Sequence, residues 1–198
     1  MFYAAINCSG PQSRRRSFLR GESVSFHRPW LALLIYCSIC SCVSAQQLES
    51  VFPASAQAGT STPVVFAGNG LGNLSSARSN SSGLTFRKLE DDSFTVDVAP
   101  DTPPGLYDVE AIGSNGVSSA RTFSVTRQQH VVEQERSEPQ TTQSVPLNCV
   151  ISGRITKGDV DSYRFTAHQG DRVIIECWAD RIDSSLRAML ELFDVDGK

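Results

Sequence analysis

The chain has 198 residues and a formal net charge of −3, but the charge is unevenly distributed. Residues 1–45 contain five arginines and one acidic residue, for a net charge of +4, whereas residues 46–198 carry −7. A protein that binds nucleic acid needs a basic face, so the acidic body argues against that class of partner. A basic head on an acidic body is typical of a targeting segment.

Residues 1–45 have the organisation of a signal peptide. An apolar run of 14 residues, Trp30 to Val43, follows the arginines and is shorter than the roughly 20 residues that a membrane-spanning helix needs. The small residues that end at Ala45 then predict cleavage before Gln46. We therefore expect an exported protein, located in the periplasm, at the cell surface or outside the cell, with no transmembrane segment after cleavage. A short buried helix is the alternative interpretation.

Two details of this leader bear on the export route. The sequence RRSFLR at 15–20 resembles a twin-arginine motif, but nine mostly polar residues separate it from the apolar run, which favours an overlong basic leader. The sequence ICSC at 39–42 is a poor match to a lipid-attachment site, because Cys40 stands where a small or aliphatic residue is usual.

Only Cys149 and Cys177 remain after the predicted cleavage. An even pair of cysteines in an exported protein is compatible with one disulfide. The alternative is two small buried hydrophobic residues on neighbouring strands. The sequence leaves both interpretations open.

Residues 46–126 read as short strands separated by turn residues. The strand-like segments are TPVVFAG, GLTFRKL, SFTVDVA, GLYDVEAIG and ARTFSV. They favour β-branched and aromatic residues, and polar turn sequences separate them at intervals of roughly ten residues. Pro103 and Pro104 cannot donate to a sheet and must lie in a connection. This pattern predicts an immunoglobulin-like, antiparallel β-sandwich.

Residues 127–146 are polar and lack aromatic residues, which predicts a linker between two units. From residue 147 onward four strand-like segments return, namely NCVISGRI, DSYRFTA, DRVIIECWA and AMLELFDV. We therefore expect an all-β chain with two antiparallel sandwich units, at 46–126 and 147–198.

The second unit resembles the first half of a bacterial pre-peptidase C-terminal domain. Its sequence has a glycine-x-isoleucine strand, then Gly-Asp-x-Asp before an aromatic strand, then a glycine turn into a hydrophobic strand. The matching positions are Gly153, Ile155, Gly158, Asp159, Asp161, Tyr163, Phe165, Gly170 and Val173. In strand and turn rhythm, the preceding unit is similar to the immunoglobulin-like TIG domains of bacterial secreted proteins.

This resemblance implies a β-sandwich accessory module of secreted proteins, often proteases, without an active site of its own. Some members of the family bind calcium, and some bind a polymer such as collagen. The family's domain continues past the point that corresponds to Lys198, so we expect an incomplete second sandwich and a fragment of a longer protein.

The residues themselves do not suggest an enzyme. The sequence has no G-x-S-x-G elbow, no H-E-x-x-H helix and no glycine-rich phosphate loop, and His168 in AHQGD reads as a solvated turn residue. We favour a non-catalytic exported module that binds a polymer substrate or a cell-surface partner. The alternative is the non-catalytic N-terminal part of a secreted peptidase whose catalytic domain is absent from this chain.

A metal site is the remaining question. Asp159 and Asp161 follow Gly158 at the start of a strand, where aspartate commonly closes a turn by bonding its own backbone. The other interpretation is calcium, which needs about 6–8 oxygen ligands, more than two aspartates supply. The resemblance implies that the preceding arm contributes further carboxylates, and Glu135 and Glu138 lie at that place. No other cofactor is expected.

Overall fold

The computed structural model describes residues 2–8, 46–134, 142–155 and 158–196. The chain is all-β, as predicted, and its described residues form fifteen strands and a single turn of 3-10 helix at Asp180–Ile182. The strands are β1 (Phe2–Cys8), β2 (Gln47–Phe52), β3 (Ser55–Gln57), β4 (Ser61–Asn69), β5 (Leu74–Ser79), β6 (Leu84–Lys88), β7 (Ser93–Val98), β8 (Gly105–Gly113), β9 (Gly116–Val117), β10 (Arg121–Thr126), β11 (Gln129–Val132), β12 (Gln143–Ser144), β13 (Cys149–Ser152), β14 (Val160–Phe165) and β15 (Ala188–Phe193). Across the described ranges, the structure contains no helix that is both long and apolar enough to cross a membrane.

The first sheet of the sandwich has the strand order β2-β4-β7-β6, and all its neighbours are antiparallel. Burial alternates along β4, where Thr62, Val64 and Phe66 are buried and their neighbours are exposed. This period of two is what the sequence predicts for a strand with one face on a core. Pro63 pairs with β7 only, because β2 reaches no further along β4 than Val65, so the missing N–H of the proline disturbs no second ladder.

The second sheet has the strand order β3-β10-β8-β5, with the short β9 paired to β8. Its pairs are antiparallel except for β3 and β10, which are parallel, with Ser55 opposite Ser124. The chain therefore crosses from the first sheet to the second between β2 and β3. Pro103 and Pro104 lie outside the strands, in the connection between β7 and β8, as predicted.

One hydrophobic core lies between these two sheets. Its fifteen buried residues all fall between Leu48 and Val125, and the largest are Phe66, Phe94 and Phe123. The aromatic and β-branched residues that alternate in the sequence are the residues that meet in this core. The predicted antiparallel sandwich is confirmed by this arrangement.

The region after the sandwich contains a parallel pair and a four-stranded sheet. β11 pairs with β13, and the sheet has the strand order β12-β14-β1-β15. Residues 127–146, predicted as a polar linker, thus include two short strands, β11 and β12. Backbone pairing with β13 and β14 places these polar sequences in strands, although no apolar pattern marks them. The limits of the two predicted units stay a prediction.

β1 lies between β14 and β15 and is antiparallel to both. Its residues, 2–8, belong to the segment that the sequence predicts to be a signal peptide. The rest of that segment, from residue 9 to residue 45, lies outside the described residues. Cleavage before Gln46 stays a prediction.

The predicted strand DRVIIECWA is wrong for this structure, because residues 171–178 form no strand. Both sides of the preceding strand, β14, are already paired, one with β12 and the other with β1. A hairpin partner for β14 therefore has no free edge to join. As a result, the apolar residues of this segment stay exposed.

Candidate functional site

Exposed apolar side chains are concentrated near the end of the chain. Among the described residues, eight of the fifteen large hydrophobic side chains that are exposed lie between residues 173 and 195. These are Val173, Ile174, Ile175, Trp178, Met189, Leu190, Leu192 and Val195. By contrast, the only buried hydrophobic residues described after residue 126 are Tyr163, Phe165 and Ala179. Clusters of exposed apolar side chains are common at interaction surfaces, so this region is the candidate site.

β15 forms one edge of the four-stranded sheet in the described part of the chain. We call the side of β15 that faces away from β1 its outer edge. Leu190 and Leu192 share one face of the strand, and Met189 lies on the other face with Glu191. All four side chains are exposed, and Leu192 keeps 53% of its surface accessible. Such an edge offers backbone N–H and C=O groups, flanked by apolar side chains, to another extended chain.

The composition of β15 does little to block such pairing. Edge strands are commonly protected by lysine, proline or a bulge, and the sequence AMLELF contains neither lysine nor proline. Glu191 is its only charged residue. The pairing of β15 with β1 runs without a register shift over six residues, so the strand is regular.

Residues 171–178 are the second exposed apolar segment. Ile174 is the most exposed of its apolar residues, with 74% of its surface accessible. The indole Nε1 of Trp178 donates to Oε2 of Glu176 at 3.2 Å, and the guanidinium of Arg181 lies 5.5 Å from the Trp178 ring centroid. The guanidinium therefore lies over one face of the indole, where the cation and the electron-rich ring attract each other.

Asp159 and Asp161 lie at the start of β14, as the sequence places them. Asp159 is exposed after Gly158, whose φ of +90° fits a turn, and Asp161 is half-buried within the strand. In the ranges that the structure describes, no group of three or more acidic, histidine or cysteine residues is placed to hold a metal ion. Glu135 and Glu138 lie outside the described residues. The calcium site stays a prediction.

Cys149 and Cys177 are both free thiols in the structure. Cys149 is half-buried in β13, whereas Cys177 is exposed in the irregular segment 171–178. Burial raises the pKa of both thiols, which favours the protonated form near neutral pH. The disulfide, one of the two interpretations that the sequence leaves open, is not formed here and stays a prediction for oxidised protein. The other interpretation, two buried residues on neighbouring strands, is wrong for Cys177, which is exposed and lies in no strand.

His168 lies in a turn, as predicted. Its backbone N–H donates to Oδ2 of Asp171 at 2.8 Å, and the backbone N–H of Asp171 donates to the carbonyl of His168 at 3.1 Å. Gly170 supplies the positive φ, +96°, that this turn requires. These two bonds reverse the chain directly after β14.

Sequence reasoning missed two polar side chains that hold this region together. His130 of β11 is hydrogen-bonded through Nε2 to the hydroxyl of Ser152 in β13, at 2.9 Å, and burial lowers the pKa of the imidazole. Asp183 accepts a hydrogen bond from the backbone N–H of Thr122 in β10, at 2.8 Å, and this bond lowers the pKa of its carboxyl. Neither residue lies in a motif, so only the non-local pairing of the strands reveals them.

No family model and no curated protein matches the chain. Among solved structures, the chain is similar to the gamma-CGTase of alkalophilic Bacillus clarkii, with 18% identity and a TM-score of 0.32 over 48% of this chain and 15% of that chain. It is also similar to SGBP-B of the mixed-linkage glucan utilization locus of Bacteroides ovatus, in complex with a mixed-linkage heptasaccharide, with 15% identity and a TM-score of 0.32. That second match covers 52% of this chain and 26% of the other.

Proposed function

We propose that this chain is a non-catalytic accessory module of an exported protein, and that it binds an extended polypeptide of an extracellular or cell-surface partner. The binding surface is the outer edge of β15. The observation that carries the proposal is the combination of a regular edge strand with exposed apolar side chains on both of its faces. An added strand would satisfy the edge backbone groups and cover Met189, Leu190 and Leu192 at the same time.

The chemistry of this edge favours a polypeptide over a sugar polymer. Sugar rings stack on exposed aromatic faces, and Trp178 is the only aromatic residue among the exposed large hydrophobic residues that the structure describes. Aliphatic side chains along a strand edge that pairs with no other described strand instead fit the alternating side chains of an added strand. Export is supported by the basic leader, the apolar run and the small residues before Gln46.

The test uses short peptides selected from a display library on the immobilised full chain, with affinity measured by fluorescence anisotropy. Leu190→Lys places a charge on the edge, and we expect it to weaken binding of the selected peptides by about tenfold or more. Leu89→Lys is the matched control, since Leu89 is an exposed leucine in the sandwich, between β6 and β7. This control variant should bind as the unchanged chain does.

A second arm separates strand pairing from simple apolar contact. Selected peptides are N-methylated either at the odd or at the even residues, which keeps the side chains but removes every second backbone donor. Only one of these two sets of donors faces β15 in an added strand, so one of the two methylated peptides should bind more weakly than the other. Equal binding of the two methylated peptides would refute strand addition. Equal binding of the Leu190→Lys and Leu89→Lys variants would refute the outer edge of β15 as the surface. Binding of a glucan or of collagen that Leu190→Lys leaves unchanged would point to the polymer alternative.

A further inference from the structure

In the four-stranded sheet, a strand from the start of the chain, β1, lies between two strands that follow each other near its end, β14 and β15. β14 and β15 are successive long strands in the chain, but they do not pair with each other, because β1 lies between them. β1 is antiparallel to each of them, with Ala5 opposite Ser162 on one side and Glu191 on the other. β14 and β15 therefore run in the same direction, and the position between them requires a strand of the opposite direction.

Residues 171–178 meet that requirement in direction and in sequence position. The turn at His168–Asp171 reverses the chain directly after β14, and residues 179–187 lead from the end of the segment to β15. A strand formed by 171–178 would run antiparallel to both neighbours, as β1 does. The three segments would then make an ordinary antiparallel meander with short connections.

The sequence of the segment also fits that position. Val173 and Ile175 share one face of an extended chain, and a register that places them beside Tyr163 and Phe165 would extend the apolar face of β14. In the structure, Val173 and Ile175 are instead 38% and 40% exposed. A strand-forming sequence that is irregular and exposed, directly after the turn that follows β14, indicates a displaced strand.

We propose that β1 occupies the sheet position that belongs to residues 171–178, and that loss of β1 lets this segment enter the sheet between β14 and β15. β1 and residues 171–178 compete for this position, and a different physical effect favours each of them. β1 carries no charged residue, whereas the segment carries Asp171, Arg172 and Glu176, whose desolvation disfavours a central position. The segment has the advantage of a short loop, since the entropic cost of closing a loop grows with its length.

This exchange goes beyond the proposed binding function, because the outer edge of β15 stays at the edge of the sheet in both arrangements. β1 precedes the predicted cleavage site before Gln46, so processing of the leader would remove it. The N-terminal strand would then serve as a placeholder that keeps 171–178 out of the sheet until processing.

Hydrogen-exchange mass spectrometry on the full chain tests the exchange. Ala5→Pro removes a backbone donor from the middle of β1, a position that a central strand does not tolerate. In this variant we expect amides at 173–178 to exchange at least about tenfold more slowly than in the unchanged chain, while amides of β14 keep their protection. Ile6→Asp, which puts a charge into β1, should give the same result.

The controls make each outcome decisive. Amides of β4 and β7 report that the sandwich stays folded. Ile174→Pro alone should leave the pattern unchanged, since 171–178 forms no strand while β1 is in place. The double variant Ala5→Pro/Ile174→Pro should deprotect β14, because neither candidate can then fill the position. The proposal is overturned if, in both β1 variants, the amides at 173–178 still exchange rapidly and the amides of β14 lose their protection. It is also overturned if the amides at 173–178 are already protected in the unchanged chain.

Discussion

Replacing Phe94 by alanine should remove a large part of the stability of the sandwich. Phe94 is fully buried in β7, and its ring stacks on Phe66 with centroids 5.0 Å apart and an interplanar angle of 25°. Deleting a buried phenylalanine side chain costs about 3–5 kcal/mol. A domain of about 80 residues has a total stability of about 4–12 kcal/mol, so this loss is about a quarter of the total or more.

Urea unfolding followed by far-ultraviolet circular dichroism measures the effect. With an m value of about 1–3 kcal/mol/M, Phe94→Ala should lower the midpoint by about 1 M or more. Phe86→Ala is the matched control, because the Phe86 ring is only partly buried and meets Phe66 at a tilt, with centroids 5.9 Å apart and an interplanar angle of 55°. Its midpoint should move less than half as far. Equal shifts for the two variants would refute the placement of the core between the two sheets.

Three further predictions concern titration and metal binding. The Arg87 guanidinium, with Nε 2.6 Å from Oδ2 of Asp97, helps to lower the pKa of that carboxyl from 3.8 to about 2. The folded state then binds fewer protons than the unfolded state, so stability should fall as the pH drops from about 4 to 2, and urea midpoints of Asp97→Asn should lose this dependence. Burial lowers the pKa of His130, so the β11–β13 pair should weaken below about pH 6.5, and an NMR titration should place the imidazole midpoint below that value. The calcium hypothesis predicts a higher melting temperature with calcium than with chelator. Asp159→Asn should weaken this effect strongly and Asp194→Asn should keep it; identical melting temperatures in both conditions would mean that Asp159 and Asp161 only shape a turn.

The sandwich could be predicted because its information is local. In β7, Phe94, Val96 and Val98 alternate with polar residues, and the structure buries these three and leaves their neighbours partly exposed. Pro103 and Pro104 marked a connection for an equally local reason, the absence of a backbone donor. A period of two and a turn composition are properties of a few neighbouring residues, and they survive in a single sequence.

The second region could not be predicted in the same way, because its pairings join distant segments. Nothing in the polar sequence around His130 indicates a strand, and it forms one only because β13 lies alongside. For residues 171–178 the sequence predicts a strand that the structure does not form, because β1 already occupies the edge of β14. The candidate site was missed for the same reason: the apolar residues of β15 look like core residues until the sheet order places that strand at an edge.

The parallel pairing of β3 with β10 has a mechanical consequence. The backbone N–H of Ser124 donates to the carbonyl of Ala54, and that of Ala58 donates to the carbonyl of Thr126, at 2.9 and 2.8 Å. In a parallel pair, tension on the start of β3 and the end of β10 pulls the two strands past each other along their length. These bonds then carry the load together instead of opening one after another. A pull on the start of β3 and the end of β10 is therefore resisted more strongly than the peeling of one strand from an edge.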